Sequence, residues 1–183
     1  MNDLFIARND VATIEINQHS VTVRQVLIKE LDVWLLYAKP LKDATYHQNV
    51  TDELLIDTFS DNPLQCMGLI DLITDIDIKQ LDIRDVPQIL KTIIDVNQAY
   101  FEQKEPKPSQ EKSEATWFDS FQLLIQSGHT HDGVMNMSYG SYVQYLEALQ
   151  RIKRIEQVEN ATTQRVAQHA DKKGFERFVK NKN

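Results

Sequence analysis

The segment from Glu102 to Ala115, EQKEPKPSQEKSEA, constrains the fold of this chain more than any other feature. It contains two prolines, seven charged residues and almost nothing apolar. A stretch of this composition cannot bury enough surface to order itself, so it predicts an exposed, mobile linker. The linker, 102–115, separates a first module, 1–101, from a second module, 116–183.

The first module begins with an alternating pattern that is typical of a β-hairpin. In VATIEI, one strand face carries Ala12, Ile14 and Ile16, and the other carries Thr13 and Glu15. The turn-rich spacer NQHS then leads to a second β-branched run, VTV. Alternation and β-branched content together predict two short antiparallel strands.

Helical spacing replaces alternation from Arg24 onward. Apolar residues recur at intervals of three and four until Pro40, which we expect to end the helix. Two further helices are predicted from a cap at Thr51 and from Pro63 at a first-turn position. A last helix, in DVPQILKTIIDVNQAYF, carries an apolar face that reaches Phe101. The first module is therefore predicted to be a small α+β unit.

The second module is predicted to be helical throughout. Thr116 is a candidate cap for a helix that ends near Gly128, and Ser138 is a candidate cap for a long helix through Val158. Beyond Asn160 the apolar pattern weakens, which predicts a frayed amphipathic tail. The chain as a whole is therefore expected to be mainly α, in the α+β class, with an N-terminal hairpin and a long C-terminal helix.

Charge is distributed unevenly along the chain. Residues 1–150 carry 11 Lys and Arg against 23 Asp and Glu, a balance of −12, while 151–183 carry 9 against 4, a balance of +5. An acidic body opposes the approach of nucleic acid. The basic tail, with Phe175 and Phe178 interleaved, keeps a small regulatory nucleic-acid-binding protein as an alternative. No long apolar run or signal peptide is present, so we expect a cytoplasmic protein without membrane contact.

The stretch SGHTHDGV raises the question of a metal site, because His129, His131 and Asp132 lie within four residues. Such a histidine pair needs further ligands from a large scaffold, and the setting between two helices favours a polar connection. The acidic run DLITDIDIKQLDIRD does not fit a calcium loop, since Lys79 stands at a ligand position. Cys66 lies in an apolar stretch that is typical of a buried structural thiol. We therefore predict no catalytic residues, no metal site and no cofactor.

Aromatic residues are more numerous than two small cores need, which favours a protein that binds other proteins. As a group they could supply anchors for an apolar partner. The predicted partner-binding residues are Trp34, Tyr37, Tyr100, Phe101, Trp117, Phe121, Tyr139, Tyr142 and Tyr145.

Several of these phrases together resemble the tail assembly chaperones of long-tailed bacteriophages. In DVNQAYFEQ, Val96, Asn97, Tyr100 and Phe101 follow the pattern that closes the first domain of that family. After the charged linker, WFDSFQLLIQSGHTHDGVMNMSYGSYVQYLEALQR is similar to the second part, an aromatic-rich helix, a Gly-His turn and a long helix. The resemblance covers most of residues 20–155.

The resemblance implies a non-enzymatic assembly factor of a phage or prophage. Such proteins keep the long helical tape measure protein soluble, help to bring tail tube subunits to it, and are absent from the finished virion. We hypothesise that the first module binds the tape measure protein and the second engages the tail tube protein. Self-association is left open, and another phage structural or adaptor protein remains the alternative in the same setting.

Overall fold

The computed structural model describes residues 3–16, 19–103 and 116–169, together with 171, 173, 174 and 180. Its residue contacts separate the chain into two compact units, 1–144 and 145–183. The fold is mainly α with one small hairpin, as the sequence predicts. Most of the predicted linker, residues 104–115, lies outside the described residues, and so do Phe175 and Phe178 of the tail.

The first unit starts with a short helix and the predicted hairpin. Helix α1 covers Asp3–Ala7, and the antiparallel strands β1 and β2 cover Ala12–Ile16 and His19–Val23. Within β1 the predicted inward side chains are buried or half-buried, while those of the alternate positions are exposed. Strand β2 begins at His19, two residues before the predicted VTV, because the pairing with Ile16 extends the ladder.

Helices make up most of the remaining chain. Thr51 caps one of them by accepting a hydrogen bond from the Leu54 amide at 3.2 Å, and Thr116 caps another by accepting from the Asp119 amide, as predicted. Two single turns of 3-10 helix cover Ile28–Glu30 and Ile78–Gln80. The α-helices are α2 Leu31–Thr45, α3 Asp52–Asp61, α4 Pro63–Ile73, α5 Val86–Val96, α6 Gln98–Phe101, α7 Trp117–Gln126, α8 His131–Met135 and α9 Tyr139–His169.

Helix α2 runs through Pro40, so the prediction that it ends there is wrong. Proline removes the amide that would bond to the Leu36 carbonyl, and Leu36 lies on an exposed part of the helix where water can solvate that group. Beyond the proline, Leu41 is fully buried. Burial of this next turn favours continuation of the helix to Thr45, whose hydroxyl donates to the Leu41 carbonyl at 2.8 Å.

The predicted helix through Phe101 is divided at Asn97. The Asn97 side-chain oxygen accepts a hydrogen bond from the Val26 amide at 2.8 Å, and its side-chain nitrogen donates to the Ile93 carbonyl at 3.1 Å. Asparagine side chains compete in this way with the backbone bonds of a helix. Helix α5 therefore ends at Val96, and α6 begins one residue after Asn97.

Part of the predicted second module belongs to the first compact unit. The Ile28 amide donates to the Met137 carbonyl at 2.9 Å, and the Tyr139 amide donates to the Val26 carbonyl at 2.9 Å. An isolated β-bridge joins Leu27 to the residue between them, Ser138. The contacts therefore group residues 116–144 with the hairpin and α2 to α6, which differs from the boundary that composition predicts.

Ser138 caps α9 as predicted, since its hydroxyl accepts from the Ser141 amide at 3.2 Å. The Ser141 hydroxyl donates in turn to the Ile6 carbonyl at 2.6 Å, so the start of α9 is held against the N-terminal segment. Helix α9 continues to His169, beyond Asn160, where the apolar pattern predicts fraying.

The core of the first unit lies between α2, α4 and α5. The prediction that Cys66 is a buried thiol is confirmed, and burial raises its pKa to about 11. Gly68 of α4 lets the Tyr37 ring of α2 approach closely, because a Cβ there would lie 2.8 Å from the ring. The largest fully buried side chains include Trp34, Leu41, Leu55, Leu69, Ile70, Ile73, Ile89, Leu90, Ile93 and Leu124.

Candidate partner-binding surfaces

Most of the aromatic residues predicted to bind partners are core residues. Side chains that are buried in the folded chain cannot contact a partner while that fold stays closed. Five of the nine are buried, so we correct their assignment from contact residues to core residues: Trp34, Tyr100, Phe101, Tyr139 and Tyr142.

Four of these rings form one cluster around Tyr100. Its centroid lies 5.4 Å from that of Trp34, 5.2 Å from that of Phe101 and 6.2 Å from that of Tyr139, all in edge-to-face geometry. The Lys42 ammonium lies 4.3 Å from the Tyr100 centroid. Burial raises the pKa of Tyr100 to about 12, so the phenol stays neutral at physiological pH. The cluster joins α2, α6 and the start of α9.

The remaining four predicted residues keep some exposure. Tyr37 and Phe121 are half-buried, and Tyr145, in the second unit, is 41% exposed. Trp117 stacks on Tyr142 with a centroid distance of 5.6 Å, yet it remains 52% exposed. Its neighbour Phe118, which the prediction did not include, is 66% exposed. We refer to Trp117 and Phe118 as the α7 patch.

An open groove lies between α2 and α3 in the first unit. Its volume is about 590 Å³. Helix α2 contributes Leu36, Pro40 and Ala44, and α3 contributes Leu54 and Thr58. Leu36 is 66% exposed, although leucine side chains of this size are usually buried. We refer to this feature as the α2–α3 groove.

The walls of the α2–α3 groove differ in charge. On the α2 wall, Lys39 forms an ion pair with Asp43 at 2.7 Å. On the α3 wall, Asp57 and Asp61 lie one helical turn apart, both exposed, and neither forms an ion pair with any residue in the described ranges. One cation and three carboxylates give the lining a net charge of −2. The groove therefore combines an apolar floor with an acidic wall.

Sequence reasoning missed this groove, although a signal for it exists. The buried positions of α2 are Leu31, Trp34, Ala38 and Leu41, which share one face at helical spacing. Leu36 falls about 180° from that face by its register, at 100° per residue. Leu36, Pro40 and Ala44 recur at intervals of four on this side of α2, and this spacing is the sequence signal for a second apolar surface.

The second unit presents a different apolar surface. Every residue from 151 to 160 is exposed, including the large side chains of Ile152, Ile155 and Val158. Spacing of three residues places these three side chains along one side of α9. We refer to them as the α9 stripe.

The histidine-containing stretch forms a helix and its cap. The Thr130 hydroxyl accepts from the Gly133 amide at 3.0 Å, and α8 begins at His131. His131 and Asp132 are exposed, with 3.6 Å between the imidazole Nδ1 and the carboxylate. The described residues contain no group of three or more His, Cys, Asp or Glu side chains that could hold a metal ion. The polar connection between α7 and α9 is thus partly helical, because Thr130 supplies the cap.

The described helices and the comparisons with known proteins add two findings. Among the helices that the structure describes, none is long and apolar enough to cross a membrane. No protein-family model, curated protein or solved structure matches this chain. Function is therefore inferred from the α2–α3 groove, the α7 patch and the α9 stripe.

Proposed function

We propose that this chain is a non-enzymatic tail assembly chaperone of a long-tailed phage, which binds the tape measure protein and helps to recruit the tail tube protein. The α2–α3 groove is the observation that carries the proposal. It offers an apolar floor between two helices, which suits the docking of a third helix. The resemblance to tail assembly chaperones at Val96, Asn97, Tyr100 and Phe101 supports the choice of the tape measure protein as the partner. The proposed site of action is the cytoplasm of the bacterial host, and the protein is absent from the finished virion.

A tail assembly chaperone has to cover the apolar surface of the tape measure protein for a limited time. A long tape measure helix exposes apolar stripes until tube subunits enclose it, and exposed stripes of this kind lead to aggregation. A groove that binds one short segment of helix does so weakly. Many copies bound along one tape gain affinity for the assembly through multivalency, and each contact is released as tube subunits compete.

A second contact is needed to bring tube subunits to the covered tape. We assign it to the α7 patch, because Trp117 and Phe118 are exposed aromatic residues of the kind that anchor protein interfaces. The patch and the groove use different helices, so one chain can engage both partners. This retains the hypothesis that residues before and after the charged segment 102–115 bind different proteins.

The test is co-expression with the tape measure protein of the same genome. We expect the tape measure protein to become soluble and to elute with this chain in size-exclusion chromatography. Leu36→Asp places a charge on the groove floor and should abolish co-elution. Ile83→Asp is the matched control, because Ile83 is 54% exposed and does not line the groove. Unchanged solubility with the wild-type chain, or equal binding by both variants, would contradict the proposal.

The assignment of the tube protein has its own test. Trp117→Ala combined with Phe118→Ala should weaken capture of the tail tube protein while co-elution with the tape measure protein is kept. Because Trp117 stacks on the buried Tyr142 ring, the thermal midpoint of the variant must first be compared with that of Phe118→Ala alone. Loss of both partners in the single Phe118→Ala variant, without loss of folding, would refute the division of labour.

A further inference from the structure

Within its own compact unit, and among the residues that the structure describes, α9 has an uncovered surface from residue 151 to residue 160. The large apolar side chains of the α9 stripe are each more than half exposed, between 51% and 59%. In folded proteins, helices gain most of their stability from packing an amphipathic face rather than from propensity. A surface that covers the α9 stripe would therefore stabilise this helix.

Charges flank the α9 stripe in an ordered way. At 100° per residue, Arg151 lies between Ile155 and Val158 on the helix surface, and Arg154 lies on the border beyond Val158. On the other border, Glu156 follows Ile152 by one turn. Arg151 lies 3.9 Å from Glu147, but both side chains are more than 60% exposed, so this ion pair contributes little. The stripe therefore has one basic border and one acidic border.

The two walls of the α2–α3 groove differ in charge. Its α3 wall carries Asp57 and Asp61 without a cation among the described residues, and its α2 wall is neutral overall, because Lys39 is paired there with Asp43. Asp57 and Asp61 are about one helical turn apart, and so are Arg151 and Arg154 of α9. The groove residues 36–44 and the segment 151–158 are about 14 Å and about 12 Å long at 1.5 Å per residue. The acidic α3 wall is therefore complementary in charge to the two arginines, and the two segments are similar in length.

We propose that the α9 stripe of one copy of this chain docks in the α2–α3 groove of a second copy. Ile152, Ile155 and Val158 would contact the groove floor, with Arg151 and Arg154 facing the α3 wall. Glu156 would then face the α2 wall. The inference concerns this chain alone and goes beyond the proposed function, because it needs no phage protein as a partner.

Self-association of this kind has a consequence for the groove. The groove of each copy is covered while a second copy occupies it, so exposed Leu36 does not promote unspecific aggregation. A tighter-binding helix displaces the second copy by competition for the same floor. The equilibrium between copies therefore sets how much groove is free at a given protein concentration.

The first experiment is light scattering coupled to size-exclusion chromatography on the full chain over a range of concentrations. We expect a mass that rises above that of the monomer with concentration and that falls with added salt, because salt screens exposed charges. A monomer at all concentrations would overturn the proposal. No phage protein is present, so that result would leave the proposed function standing.

Charge reversal on each surface then locates the contact. Asp57→Lys with Asp61→Lys in the groove, and Arg151→Glu with Arg154→Glu on α9, should each weaken self-association more than about tenfold, or about 1.4 kcal/mol. All four side chains are exposed, so both variants should fold, and circular dichroism checks this. Mixing the two variants should restore association, since each reversed surface then meets a complementary one.

Matched controls change net charge by the same amount elsewhere. Asp71→Lys with Asp95→Lys controls for the groove variant, and Lys79→Glu with Lys91→Glu controls for the α9 variant, since all four positions are exposed and lie outside the groove and α9. We expect both controls to associate as the wild-type chain does. Association that persists in both reversed variants, or a mixture that stays monomeric, would overturn the proposal.

Discussion

Helix α5 and the exposed part of α9 have the same kind of sequence pattern but opposite environments. In α5, the apolar residues at helical spacing are buried, and Ile89, Leu90 and Ile93 are inaccessible to solvent. In α9, Ile152 and Ile155 recur at the same spacing and are more than half exposed. One helix packs its apolar face against α3 and β2, and the other offers its face to solvent.

The difference shows that periodicity predicts a helix but not what covers its face. The face of α5 is needed to fold the first unit, because removing its contacts would expose apolar surface and leave cavities. The α9 stripe belongs to the second unit, and its three side chains are exposed. An amphipathic helix without a covered face is typical of a protein that completes its packing by binding.

The largest difference in the free energy of unfolding is expected between a substitution of one isoleucine in α5 and one in α9. Ile93→Ala removes a fully buried side chain from α5 and should lower the free energy of unfolding by about 2–5 kcal/mol. Ile155→Ala shortens a side chain that is already exposed, so its effect in dilute solution should stay within about 0.5 kcal/mol. Urea unfolding followed by circular dichroism, which reports on the helices of both units, measures both values.

If Ile93→Ala and Ile155→Ala lower the free energy of unfolding to a similar extent, the contrast between α5 and α9 does not hold. Similar losses of stability would mean that the α9 stripe is packed against something in the monomer. The measurement must be made at a concentration where light scattering shows a monomer, because association would add to the stability of the wild-type chain.

A smaller effect is expected where α5 ends. Asn97→Ala removes the acceptor of the Val26 amide, which is then left buried without a partner. An unsatisfied buried amide costs about 1–3 kcal/mol. Asn49→Ala, at an exposed position, is the matched control. Equal stability of the two variants would show that Asn97 does not hold the end of α5 in place.

Local signals in the sequence predict the elements of the first unit well. Alternation at Ala12 to Ile16 predicts β1, and side-chain caps at Thr51, Thr116 and Ser138 predict three helix starts. These features depend on residues that are close in sequence. Their physical causes are therefore visible without any knowledge of the tertiary structure.

Long-range contacts explain what the sequence did not predict. Pro40 stays within α2 because Leu41 is buried on the far side of it, and Asn97 divides a helix because it binds the Val26 amide. The pairing of Val26 to Ile28 with residues 137–139 likewise joins segments that are distant in sequence. For the same reason the aromatic residues could not be sorted into core and surface, since Trp34 is buried against Tyr100 and Phe101, which are distant from it in the sequence.

The smallest effect on stability is expected at alkaline pH, in a comparison of Tyr100 in the first unit with Tyr145 in the second unit. Burial raises the pKa of Tyr100 to about 12, whereas an unfolded chain has a tyrosine pKa near 10. The neutral phenol therefore stabilises the folded state fully below about pH 10, and this contribution is lost as the pH rises from about 10 to about 12. At pH 11 the loss should be about 1 kcal/mol relative to pH 9.

Tyr100→Phe removes this alkaline contribution while keeping the ring in its cluster. We expect urea unfolding of the variant to lose about 1 kcal/mol less stability between pH 9 and pH 11 than the wild-type chain does. Some loss remains in the variant, because burial also raises the pKa of Tyr139 and Tyr142. Tyr145→Phe, which alters an exposed ring of the second unit, is the matched control and should follow the wild-type chain. If Tyr145→Phe changed the alkaline unfolding as much as Tyr100→Phe, burial of the Tyr100 ring would not explain the alkaline loss of stability.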